Sequence, residues 1–392
     1  MRYILQYCHP AWIEINLDNI LHNLEEVKKL AGKETKILAM VKADAYGHGA
    51  VNNGCAVLAG GADYLGVAIL DEALELRNAG IKAPVLVMGT GIPGQADVIL
   101  KNGITQTVCS IEMAEALSRA ASKNGKKALI HIKVDTGMGR IGFFPKEAPS
   151  AIKKIKKLPN LVIEGIFSHF ATAPDEDKRY VNVQHDKFVN LLKELDASRL
   201  SCGTVHISNS ATIIDMPFMK HHMIRPGIML YGLYPSEHMK LKIDLKPALS
   251  LKAKISFVKK TDEKSSISYG RTYFASKNEI IATIPVGYAD GYNRKLSNNF
   301  HVLINGQFAP IVGRVCMDQF MVNVSAIKGV TTGDEAVLIG KQGDKVISID
   351  EMAKAAGTIN YELVCLMSRR IPRIYLEKGK AESARTLNGT KK

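Results

Sequence analysis

Lys42 closes an uninterrupted apolar run, Lys36-Ile-Leu-Ala-Met-Val41. A lysine at the end of such a run is partly desolvated, which lowers its pKa and leaves a neutral amine able to form a Schiff base with a carbonyl. A strand-end lysine that merely snorkels to solvent has the same local sequence. Arg225-Pro226-Gly227-Ile228 adds a second feature. Glycine lets a phosphate come close, and the N–H groups of the following turn donate to it. Ser210 and Tyr46 can add hydroxyl donors. A Schiff-base lysine plus a phosphate cradle suggests pyridoxal phosphate chemistry, and the same two features permit a phosphosugar aldolase.

These residues need elements to hold them. The first 240-odd residues alternate short apolar runs with helical patterns. Leu17, Ile20, Leu21, Leu24, Val27 and Ala31 share one face of a helix over 16–31, and Gly32 stops it. Strands are expected at 36–41, 64–69, 84–88, 105–108, 129–134, 161–167, 204–207 and 223–224. Helices fall between them, with Asp71 capping one that ends at Gly80 and Ser110 capping another that runs to Lys123. Such alternation implies a parallel sheet, and about eight units fit an α/β fold of the (β/α)8 TIM-like barrel type. A doubly wound sheet is the alternative, but no G-x-G-x-x-G follows the first strand. In a barrel, function sits at the C-terminal ends of the strands. Those ends carry Lys42, Asp44, Tyr46 and His48, then Asp135 to Arg140, Ser168 and His169, Asn209 and Ser210, and Arg225 to Ile228.

After about Leu245 the pattern becomes mostly β. Asn305-Gly306 marks one hairpin, and 336–340 with 345–348 marks another. One helix, 349–356, interrupts, and the polar segment 383–392 reads as a frayed tail. The expected domains are 1–245, the barrel, and 246–392, the C-terminal mostly-β domain, with residues 1–12 free to pack with the latter.

The chain has 392 residues, 46% apolar and 23% charged, which excludes disorder, collagen-like repeats and a disulfide scaffold. No stretch approaches ~18 apolar residues, so no membrane span is expected, and the first ten residues lack a secretory apolar core. Cys8, Cys55, Cys109, Cys202, Cys316 and Cys365 form no C-x-x-C pair and no metal-ligand spacing with histidine, so a reduced cytoplasmic protein without a metal is expected. The 52 Lys+Arg against 38 Asp+Glu give a net charge of +14, which raises nucleic acid as a partner. No basic helix with interleaved aromatics supports that, and Lys153 to Lys157 and Lys259-Lys260 read as solvated faces.

The stretch Val41-Lys42-Ala43-Asp44-Ala45-Tyr46-Gly47-His48-Gly49 resembles the cofactor-lysine motif of alanine racemases. The likeness continues in order through 135–142, 168–173, 206–210, 225–232, 267–272, 285–291, 313–319 and 359–362, from Pro10 to about Arg373. Asp44 departs from the pattern, since many members have Asn there. The resemblance implies a racemase that interconverts L- and D-alanine and supplies D-alanine to bacterial peptidoglycan. It also implies pyridoxal 5'-phosphate as cofactor and a homodimer whose subunits share the active site, with no nucleic acid or membrane as partner.

The same resemblance assigns roles. Lys42 carries the cofactor and acts as one acid/base, while Tyr269, from the neighbouring subunit, is the base on the opposite face. A tyrosine with an ordinary pKa near 10 needs cations around it to do this, and His169 and Arg225 match the positions that supply them. Arg225 faces the pyridine nitrogen; unlike a carboxylic acid it gives that nitrogen no proton, which limits transamination. Arg140 holds the substrate carboxylate, with the Met317 backbone N–H. Lys133 matches a position often carbamylated. Tyr46, Ser210, Gly227, Ile228 and Tyr361 match phosphate ligands, Asn209 belongs with the cofactor-binding positions, and Tyr288 with Tyr361 narrows the entrance. His48 and His206 read as structural hydrogen-bonders, and Cys316 has no assigned role. Racemases of serine, lysine or many amino acids, a silent cofactor carrier and a related decarboxylase are the alternatives. Tyr269 argues against the carrier, and an arginine at the pyridine position argues against the decarboxylase.

Overall fold

The computed structural model describes residues 9–391 of the chain, so Cys8 and most of the N-terminal decapeptide lie outside the described residues. Two compact units divide it: residues 20–45 with 50–246, and residues 9–19, 46–49 and 247–391.

The chain enters through β1 (Ala11–Asn16) and a helix at Leu17–Ala31. Eight parallel strands then close into a barrel. They are β2 (Lys36–Met40), β3 (Tyr64–Val67), β4 (Val85–Thr90), β5 (Thr105–Val108), β6 (Ala128–Lys133), β7 (Leu161–Phe167), β8 (Thr204–Asn209) and β9 (Met223–Arg225). The ring shuts where β2 pairs with β9, Lys36 opposite Met223 and Ile37 opposite Ile224. A helix follows each of β3 to β8, and two helical segments follow β2. Buried residues on Leu17–Ala31 (Ile20, Leu24, Val27 and Ala31) recur at the three-to-four spacing read from the sequence.

The helix at Leu70–Asn78 starts differently from expectation. Asp71 does not cap it; Glu72 reaches back instead, its carboxylate accepting from Ala68 N at 2.6 Å. A longer side chain from the third helical position can return to the N–H groups before the helix, which Asp71 cannot do from the second. Ser110 does cap its helix, accepting from Met113 N at 3.2 Å.

The second unit is built on a 12-stranded sheet. β1 lies inside that sheet, antiparallel to Leu249–Lys254 and parallel to Arg373–Glu377. Asn305 and Gly306, at φ 49° and 70°, form the hairpin turn between His301–Ile304 and Gln307–Val312. Two expectations fail in this unit. A second helix, Asn360–Leu366, follows Ile349–Ala356. The segment from Ser383 is no frayed tail: Lys380–Thr386 pairs with Arg373–Glu377, and Gly389–Lys391 pairs back on it. Ala384, 2% exposed, packs with Trp12 and Ile374, so one small apolar side chain in a polar stretch anchors the strand.

Candidate active site

Lys42 leads out of β2 into a turn of unusual hand. Ala43, Asp44, Ala45 and Tyr46 all have φ between 51° and 55°. The left-handed helix is unfavourable for L-residues, so neighbours must hold this turn. Glu72 accepts from Ala43 N at 2.6 Å, and Asp44 Oδ1 accepts from Ala50 N at 2.9 Å. In the other unit, the buried Arg373 donates to Gly47 O at 3.2 Å. Glu72 was not singled out in the sequence, although an acidic residue beside a helix start invites that role.

The ends of the other barrel strands carry three cationic side chains, Lys133, Arg140 and Arg225, among polar ones. Arg225, 3% exposed, ends β9. Its guanidinium donates to His206 Nδ1 at 2.9 Å, Ser168 O at 2.9 Å, Ile207 O at 2.8 Å and His169 Nδ1 at 3.0 Å. Burial, reinforced by Arg140, pushes its pKa down to about 9, which leaves it charged at neutral pH. Burial and then Arg225, Arg140, Lys42 and Lys133 hold His169 well below the usual histidine range, so its ring is neutral. Lys133, 2% exposed, donates to Val134 O at 2.5 Å. Burial is the main cause that lowers its pKa to about 8, with Arg225 and Arg140 adding to it against Asp135.

Arg140 sits on an exposed loop whose shape is set by Asp135, whose Oδ1 accepts from Gly137 N at 2.9 Å and Gly139 N at 3.1 Å. Gly142 closes the loop at φ 124°, where a Cβ would come within 2.7 Å of Asp135 N. At β8 and β9, Ser210 Oγ accepts from Gly227 N at 2.8 Å, and Gly227-Ile228 opens the turn Ile228–Tyr231. Asn209 uses its Oδ1 to cap the helix Ser210–Asp215, accepting from Ala211 N and Thr212 N.

The other expected residues belong to the second unit. Tyr46 and Tyr361 lie with ring centroids 6.1 Å apart, and burial raises the Tyr361 pKa. Tyr269 occupies a short turn between left-handed Ser268 and Gly270, and is 73% exposed. Ser268 Oγ lies 3.3 Å from Cys316 Sγ, and Tyr288 N donates to Cys316 O at 3.0 Å. Met317, 53% exposed, and Tyr288, 44% exposed, therefore neighbour the Tyr269 turn. His48 Nδ1 is 2.8 Å from Tyr46 O, as a structural hydrogen-bonder should be.

The donor set at the barrel mouth fits pyridoxal phosphate. Arg225, Arg140, Lys42 and Lys133 all act on His169 as cations, and Asp135 beside Lys133 offsets only part of that charge. Such an excess of positive charge suits a group carrying a phosphate together with a substrate carboxylate. Among the described residues no cluster of His, Cys, Asp or Glu could hold a metal ion.

The family models for the alanine racemase N-terminal and C-terminal domains match residues 15–235 and 248–375. The chain belongs to the alanine racemase family. That family is pyridoxal 5'-phosphate dependent. Alanine racemase 2 of Caldanaerobacter subterraneus subsp. tengcongensis is 46% identical, over 94% of this chain and 96% of its own. The solved alanine racemase of Clostridium difficile 630 superposes with a TM-score of 0.92 at 41% identity, covering 96% of this chain and 98% of its own. A histidine racemase from Leuconostoc mesenteroides subsp. sake is also similar, at TM-score 0.88 and 30% identity, covering 94% of this chain and 98% of its own.

The motifs did not flag Glu72, which holds the Lys42 turn, nor His131 and Glu164, whose side chains lie 3.4 Å apart inside the barrel. His131 had a signal: two residues before Lys133 in one strand, it shares that lysine's face.

Proposed function

We propose that this chain interconverts L- and D-alanine with pyridoxal phosphate, as a cytoplasmic homodimer that supplies D-alanine to peptidoglycan. The observation that carries the reading is the match of both alanine racemase domains to a chain whose barrel has Lys42 following β2 and a buried Arg225 ending β9, 3.0 Å from His169. When bound, the cofactor supplies the electron sink that makes the amino-acid Cα–H acidic. Lys42 holds it through the ε-amino group and then moves the Cα proton on one face. Tyr269 of the partner subunit moves the proton on the other face. Inversion without turning the substrate over requires one acid/base on each face, and each is worth ~10²–10⁴-fold.

Arg225 keeps its charge without giving up a proton, so it orients the pyridine nitrogen and disfavours protonation at the wrong carbon. Arg140 and the Met317 backbone N–H of the partner subunit hold the carboxylate. Ser210, Gly227 and Ile228 receive the phosphate, with the hydroxyls of Tyr46 and Tyr361 and the neighbouring Asn209. Lys133, with its lowered pKa, offers a neutral amine to CO2 just above neutral pH, and the resulting carbamate would steady Arg140. The homodimer is supported by the face around Tyr269, where Tyr288, Met317 and Leu366 are also at least 44% exposed. Among the described residues no helix is long and apolar enough to cross a membrane.

The test is racemisation of single-enantiomer amino acids, with an absorbance spectrum of the bound cofactor beside it. Alanine is expected to racemise fastest. A preference for serine, lysine or histidine moves the chain to another branch of the same chemistry. No visible cofactor band in wild type, or an unchanged band in Lys42→Ala, refutes the lysine assignment.

A further inference from the structure

The interior of a (β/α)8 barrel is normally filled with layers of aliphatic side chains. Here a polar row runs through it. Arg225 donates to His206 Nδ1 at 2.9 Å, His206 Nε2 lies 2.9 Å from His131 Nδ1, and His131 Nε2 lies 3.4 Å from Glu164 Oε2. Glu164 also accepts from Tyr64 Oη at 3.2 Å and Thr105 Oγ1 at 3.3 Å. Tyr64 and Thr105 begin β3 and β5, so the carboxylate lies toward the barrel end opposite Arg225. Both histidines are 0% exposed, whereas the Glu164 side chain keeps 25%. The fold makes room for the row. A Cβ at Gly165 would stand 2.5 Å from His131 Cε1, and Phe167 stacks on His206 at 4.8 Å.

The protons in this row can be placed. A guanidinium has donors only, so His206 Nδ1 must be the bare nitrogen and its proton sits on Nε2. That proton points to His131 Nδ1, which places the His131 proton on Nε2, facing Glu164. Both rings are then neutral and every contact points from Arg225 toward Glu164. Reversing the order would put a His206 Nδ1–H against an Arg225 N–H, donor against donor, and displace the guanidinium. The closing step is a charge contact rather than a formed hydrogen bond: His131 Nε2 lies 3.4 Å from Glu164 Oε2 and has no hydrogen-bond partner among the described residues.

We propose that Glu164 is a positioning residue for racemisation: as the acceptor at the far end of the row, its carboxylate holds His131 and His206 in the tautomers that Arg225 requires, and so steadies Arg225 at the barrel mouth. The inference rests on the role of Arg225 proposed above. Burial holds both histidines below the usual range. The other groups that act on the pair are Lys36 for His131, and Lys133 and His221 for His206, all of which disfavour a second positive charge. Tyr64 is the titratable neighbour of Glu164 besides His131.

The experiment uses nitrogen-15 histidine NMR on the apoenzyme and alanine kinetics on the loaded enzyme, for wild type, Glu164→Gln and Glu164→Asp. Wild type is expected to show His131 and His206 neutral and protonated on Nε2 at neutral pH. In Glu164→Gln a second tautomer appears, and kcat falls roughly ten-fold or more while KM stays within about two-fold. Glu164→Asp, which retains the charge, recovers the wild-type tautomers. A wild-type His206 that carries its proton on Nδ1, or both protons, overturns the proposal even if Glu164→Gln does not fold. Unchanged tautomers and kcat in a folded Glu164→Gln overturn it as well. Absence of racemisation in wild type with the expected tautomers removes the proposed function and leaves the row itself standing.

Discussion

Acid should weaken this protein through the two histidines inside the barrel. His131 and His206 are 0% exposed, and burial is the first cause that lowers each pKa. An unfolded histidine titrates near 6.5, so below that pH the unfolded chain binds protons that the folded chain refuses. The sign follows: stability is present above about 6.5 and is lost as pH falls. At pH 5.5 a histidine that stays neutral when folded costs about 1.4 kcal/mol, so the pair costs up to ~3 kcal/mol. His131 contributes the smaller part, because Glu164 pulls its pKa back up. Glu164 itself is depressed chiefly by its contact with His131, so its contribution is lost only at lower pH, through the carboxylate range. Against a typical total of about 5–15 kcal/mol, the loss is large enough to measure. The assay is urea unfolding of the apoenzyme at one protein concentration, followed by circular dichroism, at pH 7.5 and 5.5. His169 and His221 shift in the same direction, so the wild-type difference alone does not isolate the pair. His206→Gln does: it should remove about 1.4 kcal/mol of the pH-dependent difference. An identical pH dependence in wild type and His206→Gln would refute the reasoning.

Other expectations follow from the site. Lys42→Ala and Tyr269→Ala should each be nearly inactive, but mixing and refolding them together should restore up to about a quarter of wild-type activity through mixed dimers with one intact site; no recovery argues against a shared site. Gly142→Ala forces a Cβ against the Asp135 backbone at 2.7 Å and should raise KM for alanine while lowering the unfolding free energy by ~1–3 kcal/mol, read by kinetics and urea unfolding. Arg225→Glu should divert turnover toward transamination, seen as pyruvate release per racemisation event, and an unchanged ratio counts against the charge argument. Carbon-13 bicarbonate should give a carbamate NMR signal that Lys133→Met abolishes, stronger above pH 8 than below, since the amine with a pKa of about 8 is then neutral.

The barrel was legible because parallel strands are buried on both faces and read as short apolar runs; all eight lie within a few residues of their expected places. The strand-end rule pointed to Lys42, Arg140, His169 and Arg225, and the structure does place them at or after the ends of β2, β6, β7 and β9. What stayed hidden depended on register or on weak local signals. Glu164 is one acidic residue in an apolar strand, and only the register shift in the pairing of β6 with β7, where His131 faces Gly165 and Glu164 is skipped, brings it near His131. The helix Asn360–Leu366 has seven residues and an isoleucine at its N-cap, too little for periodicity or capping to reveal. The strand at Lys380–Thr386 is mostly polar, and only Ala381 and Ala384 of its residues pack in the Trp12 cluster.

The turn that carries Lys42 contains no glycine, yet four successive residues adopt φ near +50°. At about 1–2 kcal/mol each, this geometry has no local reason to form. It closes only once Glu72 stands ready for Ala43 N–H and Arg373 for Gly47 O. Order at Lys42 then arrives late in folding, after the helix Leu70–Asn78 has formed to present Glu72. In pulse-labelled refolding, the Ala45 amide, bonded to Val41 O at 2.8 Å, should gain protection after the amides of the helix Leu70–Asn78. Protection at Ala45 first would contradict that order.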